Sequence, residues 1–173
     1  LDHLSFWANR RAADNAQVVL WLYNITGESF LLELAELIEE QTFPWKDIFL
    51  NSEIADTTSN YAYQFFKMKR YPFDQKEINS IGISQLGTIH TVNLAQGIKS
   101  PIVFNQLNYN IKNEKAVAKA LTDLKKYHGQ PQGMYGGDEP LHGTDPVQGV
   151  EFCSVSEMMF SLESMIQISG DMS

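Results

Sequence analysis

The reactive side chains of this sequence concentrate in one turn-rich stretch, residues 129–150, and in the residues that follow it. The stretch contains six glycines and three prolines, a density that breaks both helix and strand. A loop of this length within a compact domain is usually either functional or disordered. Apolar and aromatic residues at both of its ends favour an anchored loop, so we predict an active-site loop. Its candidate groups are four carboxylates, one histidine and the only cysteine: Asp138, Glu139, His142, Asp145, Glu151 and Cys153.

Glu151 and Cys153 could contribute to a metal site. Side chains two residues apart on a continuous helix do not face each other, so the pair converges only if Glu151 is extended and Cys153 begins a helix. Gly149 upstream allows that geometry. A cysteine at a helix N-terminus is expected to have a lowered pKa, and thiolate and carboxylate both bind Zn²⁺. Two ligands do not make a site, however, and a buried structural cysteine is the alternative. Glu157, four residues after Cys153, is a weaker metal or substrate candidate.

Glu139 is a candidate general acid or base, a role that requires a carboxyl pKa raised by burial. The alternative is a solvated loop carboxylate. Its neighbours Asp138 and His142 are candidates for substrate binding, although a histidine among glycines is also typical of a turn.

His90 and Asn93 lie on an apolar segment and could contact a ligand. They would do so if their helix lined the bore of a helical barrel, because residues three apart share one helix face. Otherwise His90 is a core histidine with its hydrogen bonds satisfied.

The hydrophobic pattern predicts alternating buried and half-exposed helices. Residues 12–25 and 86–99 are apolar on every side, as in buried helices, and residues 154–168 are apolar nearly all round. Gly27 is expected to end the first of these helices. Residues 28–41 and 113–128 each carry one apolar stripe and one charged face. The first stripe consists of Phe30, Leu31, Leu34, Leu37 and Ile38. In the second helix, which Asn113 is expected to cap, Asp123 lies on the charged face, and the inward stripe consists of Ala116, Val117, Ala120, Leu121 and Leu124. We therefore predict an all-α fold, part of an (α/α)6 helical barrel or toroid with alternating inner and outer helices.

The predicted helices account for only part of such a barrel. A closed toroid of six hairpins needs about twelve helices, and the pattern predicts about five. We therefore expect residues 1–173 to be a portion of one catalytic domain. A short helical segment is predicted from Pro44 to Leu50. Residues 51–83 show no clean period and are predicted to be a long connection or insertion. The aromatic residues of that insertion either form a sugar-binding surface or anchor it to the body of the protein.

Composition excludes several classes of partner. The net charge of −8 and pI of about 4.9 give no electrostatic basis for binding nucleic acid or anionic lipid. No run of about 18 apolar residues predicts a membrane span. A single cysteine excludes an internal disulfide. These features favour a neutral or small substrate and predict no nucleic-acid or membrane partner.

Two motifs resemble glycoside hydrolase family 127, the β-L-arabinofuranosidase family once classed as a domain of unknown function. They are residues 133–139 (Gly-Met-Tyr-Gly-Gly-Asp-Glu) and residues 151–154 (Glu-Phe-Cys-Ser). Residues 87–93 (Gly-Thr-Ile-His-Thr-Val-Asn) look like a helix of that family. Residues 22–27 (Leu-Tyr-Asn-Ile-Thr-Gly) look like its repeated helix end.

The resemblance implies a retaining exo-glycosidase on an (α/α)6 barrel with β-sandwich domains. Such enzymes use a zinc-bound cysteine thiolate in place of the usual carboxylate nucleophile. By this resemblance Glu139 is the acid/base, Glu151 and Cys153 are two zinc ligands, and His90 touches the sugar. The family's other ligands, including its nucleophile, are adjacent cysteines further downstream than this sequence extends, so we expect the chain alone to be inactive. The implied substrate is an oligosaccharide or plant-type glycan, which favours a secreted or periplasmic protein.

Two further functions remain open from the residues alone. The chain could be a non-catalytic helical module that binds carbohydrate or serves as a scaffold, with a purely structural glycine-rich loop. It could also belong to a metal-free α/α-barrel glycosidase that works with two carboxylates, such as Glu139 and Glu151.

Overall fold

The computed structural model describes residues 4, 6–51, 54, 90–137, 141 and 143–170. Most of the predicted insertion, residues 51–83, lies outside these ranges. Three candidate site residues also lie outside them: Asp138, Glu139 and His142.

The described residues form an all-α structure, which confirms the predicted class. They contain no β-strand, although isolated bridges occur, two of them in the glycine-rich loop. Their helices form no barrel, so the larger toroid stays a prediction. None of these helices is long and apolar enough to span a membrane. The helices are α1 (Phe6–Arg10), α2 (Ala12–Thr26), α3 (Phe30–Gln41), α4 (Trp45–Leu50), α5 (Thr91–Gly97), α6 (Ser100–Phe104), α7 (Ile111–His128) and α8 (Phe152–Ser169), with a 3-10 turn at Pro146–Gln148.

Helices α2 and α3 form a hairpin, close to the predicted bounds. Gly27 ends α2 in the left-handed conformation (φ 71°), and its N–H donates to the Tyr23 carbonyl at 2.8 Å. The two helices pack through small and branched side chains, among them Ala16 of α2 and Ala35 of α3. Phe30, which was expected to face inward, is exposed, so the apolar stripe of α3 is narrower than predicted.

Helices α2 and α8 are not buried on every side, and that part of the prediction is wrong. Helices α3, α5 and α6 cover one side of α2, and α5 and α6 cover one side of α8. The uncovered sides therefore expose large apolar side chains that include Val18, Trp21, Ile25, Met159 and Ile166.

The predicted helix at residues 86–99 begins later and continues further than expected. Thr91–Gly97 and Ser100–Phe104 form two short helices with a turn at residues 98–99. Pro101 does not end the helical path, because proline is tolerated in the first turn of a helix. Every residue of both helices is buried, as the apolar pattern predicted.

The main apolar core surrounds Trp45 at the start of α4. Its ring meets Phe43 edge-on at 4.9 Å and stacks on Phe49 at 5.6 Å between centroids. Its indole N–H donates to the Arg10 carbonyl at 2.9 Å, which satisfies the one polar atom of the side chain. Gly97 of α5 permits this packing, because a Cβ atom there would lie 2.2 Å from the indole ring.

Helix α7 begins at Ile111, and its cap lies three residues before the predicted cap, Asn113. The cap is Asn110, whose side-chain oxygen accepts from the Lys112 N–H at 3.0 Å. Asn113 is buried inside the first turn and donates to Asn105 Oδ1 at 2.8 Å. The predicted inward residues Ala116, Val117, Ala120 and Leu124 are buried, whereas Leu121 is exposed and Asp123 is buried, contrary to the prediction.

Candidate functional site

The glycine-rich loop is anchored at its start by His128, the last residue of α7. This side chain is fully buried, and its Nδ1 accepts from the Gly143 N–H at 3.0 Å. Because Nδ1 accepts, the neutral ring carries its proton on Nε2, which lies 2.5 Å from the Ile54 carbonyl oxygen. His128 therefore ties the loop to Ile54, which confirms that the loop is anchored.

The far end of the loop is fixed by backbone bonds that involve Gly137. Its N–H donates to the Gly149 carbonyl at 3.0 Å, and its own carbonyl accepts from the Glu151 N–H at 3.4 Å. Gly149 has φ 77°, a conformation that side chains disfavour. These bonds place residues 133–137 beside the Glu-Phe-Cys-Ser motif at residues 151–154. Gly137 directly precedes Asp138 and Glu139 in the sequence.

Glu151 and Cys153 adopt the geometry that the sequence argument required. Glu151 occupies the cap position of α8 with extended backbone (φ −74°, ψ 127°), and Cys153 lies in the first turn. The two side chains are close enough for the carboxylate to influence the thiol. Cys153 is exposed, so a buried structural cysteine is excluded.

The expected lowering of the Cys153 pKa is wrong, because the pKa is raised instead. The hydrogen bond to Glu151 is the largest cause, followed by desolvation and by the negative charge of Glu151. The hydrogen bond and the carboxylate charge both favour the protonated thiol. They outweigh a backbone hydrogen bond of Cys153, which favours the thiolate. Glu157 raises the pKa further, to a smaller degree.

His90 lies beside this pair, at the cap position of α5. Its Nδ1 accepts from the Asn93 N–H at 3.4 Å, and its Nε2 lies 4.0 Å from Glu151 Oε2. That carboxylate oxygen is buried and has no hydrogen-bond partner among the described residues. The structure thus brings together three candidates from separate parts of the sequence: His90, Glu151 and Cys153.

Tyr135 is a site residue that the sequence analysis overlooked. It is buried, and its hydroxyl donates to the Thr91 carbonyl at 2.7 Å, which links the loop to α5. Burial raises the Tyr135 pKa, and the charge of Glu151 raises it further. The available signal was a tyrosine between glycines in the 133–139 motif.

Asn93 is fully buried in the first turn of α5. Its Oδ1 accepts from Arg11 Nε at 2.9 Å, which fixes the junction of α1 and α2 to α5. Its Nδ2 is buried without a hydrogen-bond partner in the part of the chain that the structure describes. Asn93 is therefore a helix-packing residue, and its predicted contact with substrate stays a prediction.

The donor chemistry of Glu151 and Cys153 fits half of a zinc site. Carboxylate and thiolate are both common zinc ligands, and catalytic zinc has three protein ligands. The buried, unpartnered Oε2 of Glu151 is the kind of atom that a cation would satisfy. Among the described residues no group of three or more His, Cys, Asp or Glu side chains could hold a metal ion.

A second polar cluster was also missed by the sequence analysis. Lys99 is fully buried, and its Nζ lies 2.6 Å from Asp14 Oδ1 and 3.2 Å from Ser161 Oγ. It also lies 4.7 Å from the centroid of the Phe160 ring. The available signal was a lysine within a segment predicted to be buried on every side.

Comparisons with protein-family models, curated proteins and solved structures find no match. The resemblance of the two motifs to glycoside hydrolase family 127 therefore stays a prediction.

Proposed function

We propose that this chain supplies part of the active site of a retaining exo-glycosidase similar to glycoside hydrolase family 127. The observation that carries the proposal is the pair of backbone bonds between Gly137 and residues 149 and 151. They bring the two motifs together. His90, at the cap position of α5, lies beside the second motif, with its Nε2 4.0 Å from Glu151 Oε2. The proposed substrate is a terminal β-L-arabinofuranosyl or similar residue of a plant-type glycan, which suits a secreted or periplasmic protein.

Glu139 is the proposed general acid and base. It would protonate the leaving oxygen in the first step and take a proton from water in the second, as a retaining mechanism requires. Its place in the sequence, two residues after Gly137, supports this role.

Glu151 and Cys153 are the proposed ligands that this chain gives to Zn²⁺. When bound, the metal would hold a cysteine sulfur deprotonated and oriented for attack on the sugar. Glu151 is the strongest influence on the Cys153 thiol and is the proposed acceptor of its proton. The resemblance implies further cysteine ligands, one of them the nucleophile, whereas these 173 residues contain Cys153 alone.

His90 is the proposed sugar contact. If its neutral ring accepts at Nδ1 from the Asn93 N–H, its Nε2 carries a proton near Glu151. That proton could be donated to a sugar hydroxyl held beside the carboxylate.

The first test is Glu139→Gln in protein expressed from the full natural coding sequence. We expect turnover of p-nitrophenyl β-L-arabinofuranoside to fall by about 10²–10⁴-fold, the usual contribution of a general acid–base group. Circular dichroism should show an unchanged fold. The matched control is Asp145→Asn, because Asp145 is an exposed carboxylate of the same loop that accepts from the Val147 N–H at 3.0 Å. Undiminished turnover by Glu139→Gln would exclude the acid/base role.

A second test measures bound zinc in the same full-length protein. We expect stoichiometric zinc in the natural protein and loss of it in Glu151→Gln and Cys153→Ser. Turnover by protein without zinc, sensitive to both Glu139→Gln and Glu151→Gln, would instead favour the metal-free glycosidase with two carboxylates.

A further inference from the structure

His128 anchors the glycine-rich loop through a ring that must be neutral. Its Nδ1 accepts from the Gly143 N–H at 3.0 Å, and its Nε2 lies 2.5 Å from the Ile54 carbonyl oxygen. An acceptor at Nδ1 needs the lone pair that protonation would occupy. A protonated ring would carry an N–H group at each nitrogen, and one of them would be directed at the Gly143 N–H. The charged form of His128 is therefore incompatible with this anchor.

The surroundings of the ring strengthen this preference. His128 is fully buried, and removal from water disfavours a charged imidazolium. When the anchor opens, the ring meets water, where a histidine has an ordinary pKa of about 6.5. A proton therefore binds the open state better than the anchored state. The anchor should hold fully above that pH and weaken as the pH falls below it.

The two halves of the loop are held by different kinds of bond. The first half, residues 129–136, uses backbone bonds that do not titrate, among them the bond from the Gly136 N–H to the His128 carbonyl at 2.8 Å. Gly143, in the second half, donates to a side chain that does titrate. Acid should therefore loosen the second half before the first.

The charged groups on the neighbouring elements are solvated or paired. Helices α4 and α6 pack against α7, and α6 itself carries no charged residue. Lys99, directly before α6, is paired with Asp14. Tyr135 of the loop is buried, and its raised pKa keeps the phenol neutral throughout the acidic range. The charged residues of α4, of the last turns of α7 and of the described part of the loop are exposed, half-exposed or paired along the helix: Lys46, Asp47, Asp123, Lys125, Lys126 and Asp145.

We propose that His128 is a pH-sensitive anchor, and that protonation of its ring releases Gly143 and with it the second half of the glycine-rich loop. The device uses neither Glu139 nor Glu151 nor Cys153, so it holds whether or not the protein is a hydrolase.

The test measures hydrogen exchange of the Gly143 N–H in protein expressed from the full natural coding sequence. Mass spectrometry with fragmentation to single residues gives the protection factor, corrected for the intrinsic pH dependence of exchange. One linked proton with an open-state pKa of about 6.5 predicts a protection factor about tenfold lower at about pH 5.5 than at about pH 7.5. The Gly27 N–H donates to the Tyr23 carbonyl at 2.8 Å in a helix cap. It is the internal control and should keep its protection.

His128→Gln is the variant that isolates titration from anchoring. Its amide oxygen can accept from the Gly143 N–H and its amide nitrogen can donate to the Ile54 carbonyl, yet the group does not titrate. We expect the Gly143 protection factor of this variant to be independent of pH in the same range. Glu53→Gln and His142→Gln are matched controls, because these residues are adjacent in the sequence to the two partners of the ring. The pH dependence should persist in both.

Three results would overturn the proposal. The first is a Gly143 protection factor in the natural protein that does not change with pH. The second is an equal change in His128→Gln, which would assign the pH dependence to another group. The third comes from exchange of the histidine C2 hydrogen, which reports the pKa of each ring. A pKa of His128 above about 6.5 in the folded protein would mean that the anchored state favours the charged ring. The first and third measurements need no variant, so the proposal remains testable even if His128→Gln fails to fold.

Discussion

The core around Trp45 and the polar seam around Lys99 hold neighbouring helices together by opposite means. We define the polar seam as Asp14, Gln17, Gln96, Lys99, Ser161 and Ser164, which join α2, α5 and α8 through side-chain bonds. In the core, aromatic and aliphatic side chains pack densely, and the one polar atom of Trp45 is satisfied. In the seam, the amide oxygens of Gln17 and Gln96 remain unpartnered within the described part of the chain.

This difference indicates which region serves stability and which retains capacity for binding. Apolar burial stabilises in proportion to the area removed from water. A buried ion pair contributes little net stability, because the desolvation of its charges offsets their attraction. The seam is therefore a poor choice for stability alone, and three of its residues, Asp14, Gln17 and Gln96, line an open cleft between α2 and α8. The two regions should respond differently to the same kinds of substitution.

The largest effect is expected in the core, from Trp45→Ala. Trp45 is only 2% exposed and contacts two aromatic rings, so its loss leaves a cavity that the surrounding helices cannot fully close. We expect the free energy of unfolding to fall by about 3–5 kcal/mol, measured by urea denaturation followed by circular dichroism.

The matched control for that variant is Trp21→Ala. The same side chain is removed from a site that is 61% exposed, so the free energy of unfolding should change by no more than about 0.5 kcal/mol. Equal losses in the two variants would contradict the contrast between core and cleft.

A smaller but still substantial effect is expected in the seam, from Lys99→Met. This change leaves the Asp14 carboxylate without its ammonium partner in a partly buried place. Loss of one member of a fully buried pair costs about 3–5 kcal/mol. The side chain of Asp14 is 31% exposed and can be partly rehydrated, so we expect about 2 kcal/mol by urea denaturation.

Two comparisons sharpen this result. The double variant Asp14→Leu with Lys99→Met should recover most of the lost stability, because replacing both charges by apolar groups is often neutral. Lys119→Ala breaks the ion pair to Asp123 within α7, at 3.0 Å with four-residue spacing. Lys119 is 36% exposed but Asp123 is buried, so that loss should be about 1 kcal/mol, at the upper end for exposed pairs and below the loss for Lys99→Met. If the double variant had a lower free energy of unfolding than Lys99→Met alone, Asp14 would stabilise the fold even without its partner, which contradicts this explanation.

Local signals in the sequence were sufficient to predict where most helices lie. Gly27 ends α2 as a left-handed cap. The stripe of α7 that includes Ala116 and Ala120 is buried, as predicted. These features depend on neighbours within a turn or two of the same helix. The exact start of α7 was harder to predict, because Asn110 and Asn113 are equally good caps by residue type.

Features that depend on distant neighbours could not be predicted. Periodicity showed that α2 is apolar on all sides, but not that Trp21 and Ile25 would be exposed. A lysine in an apolar segment was visible at position 99, whereas its partner Asp14 comes from a helix far away in the sequence. Likewise, the sequence predicted the helix N-terminus at Cys153 but could not weigh its effect against that of the neighbouring Glu151.

The balance between those two influences at Cys153 gives the last prediction, which should not alter the fold. Alkylation by iodoacetamide proceeds through the thiolate. A raised pKa therefore makes the metal-free chain react slowly near neutral pH, and the rate should increase as pH rises through that pKa. Glu151→Gln removes one of the charges and replaces the carboxylate acceptor, the largest cause of the shift, by a neutral amide that accepts more weakly from the thiol and can donate to the thiolate. The pKa should fall and alkylation near neutral pH should become faster.

Glu157→Gln is the matched control for that change, because it removes one negative charge from the same helix without removing the thiol hydrogen bond. It should accelerate alkylation less than Glu151→Gln does. All three proteins should approach similar rates at high pH, where each cysteine is already a thiolate. The unmodified chain should even be slightly faster there, since intrinsic nucleophilicity increases with thiol pKa. Equal acceleration by the two variants would mean that general carboxylate charge, and not the Glu151 hydrogen bond, controls the cysteine. The proposed role of Glu151 as the proton acceptor of Cys153 would then lose its support.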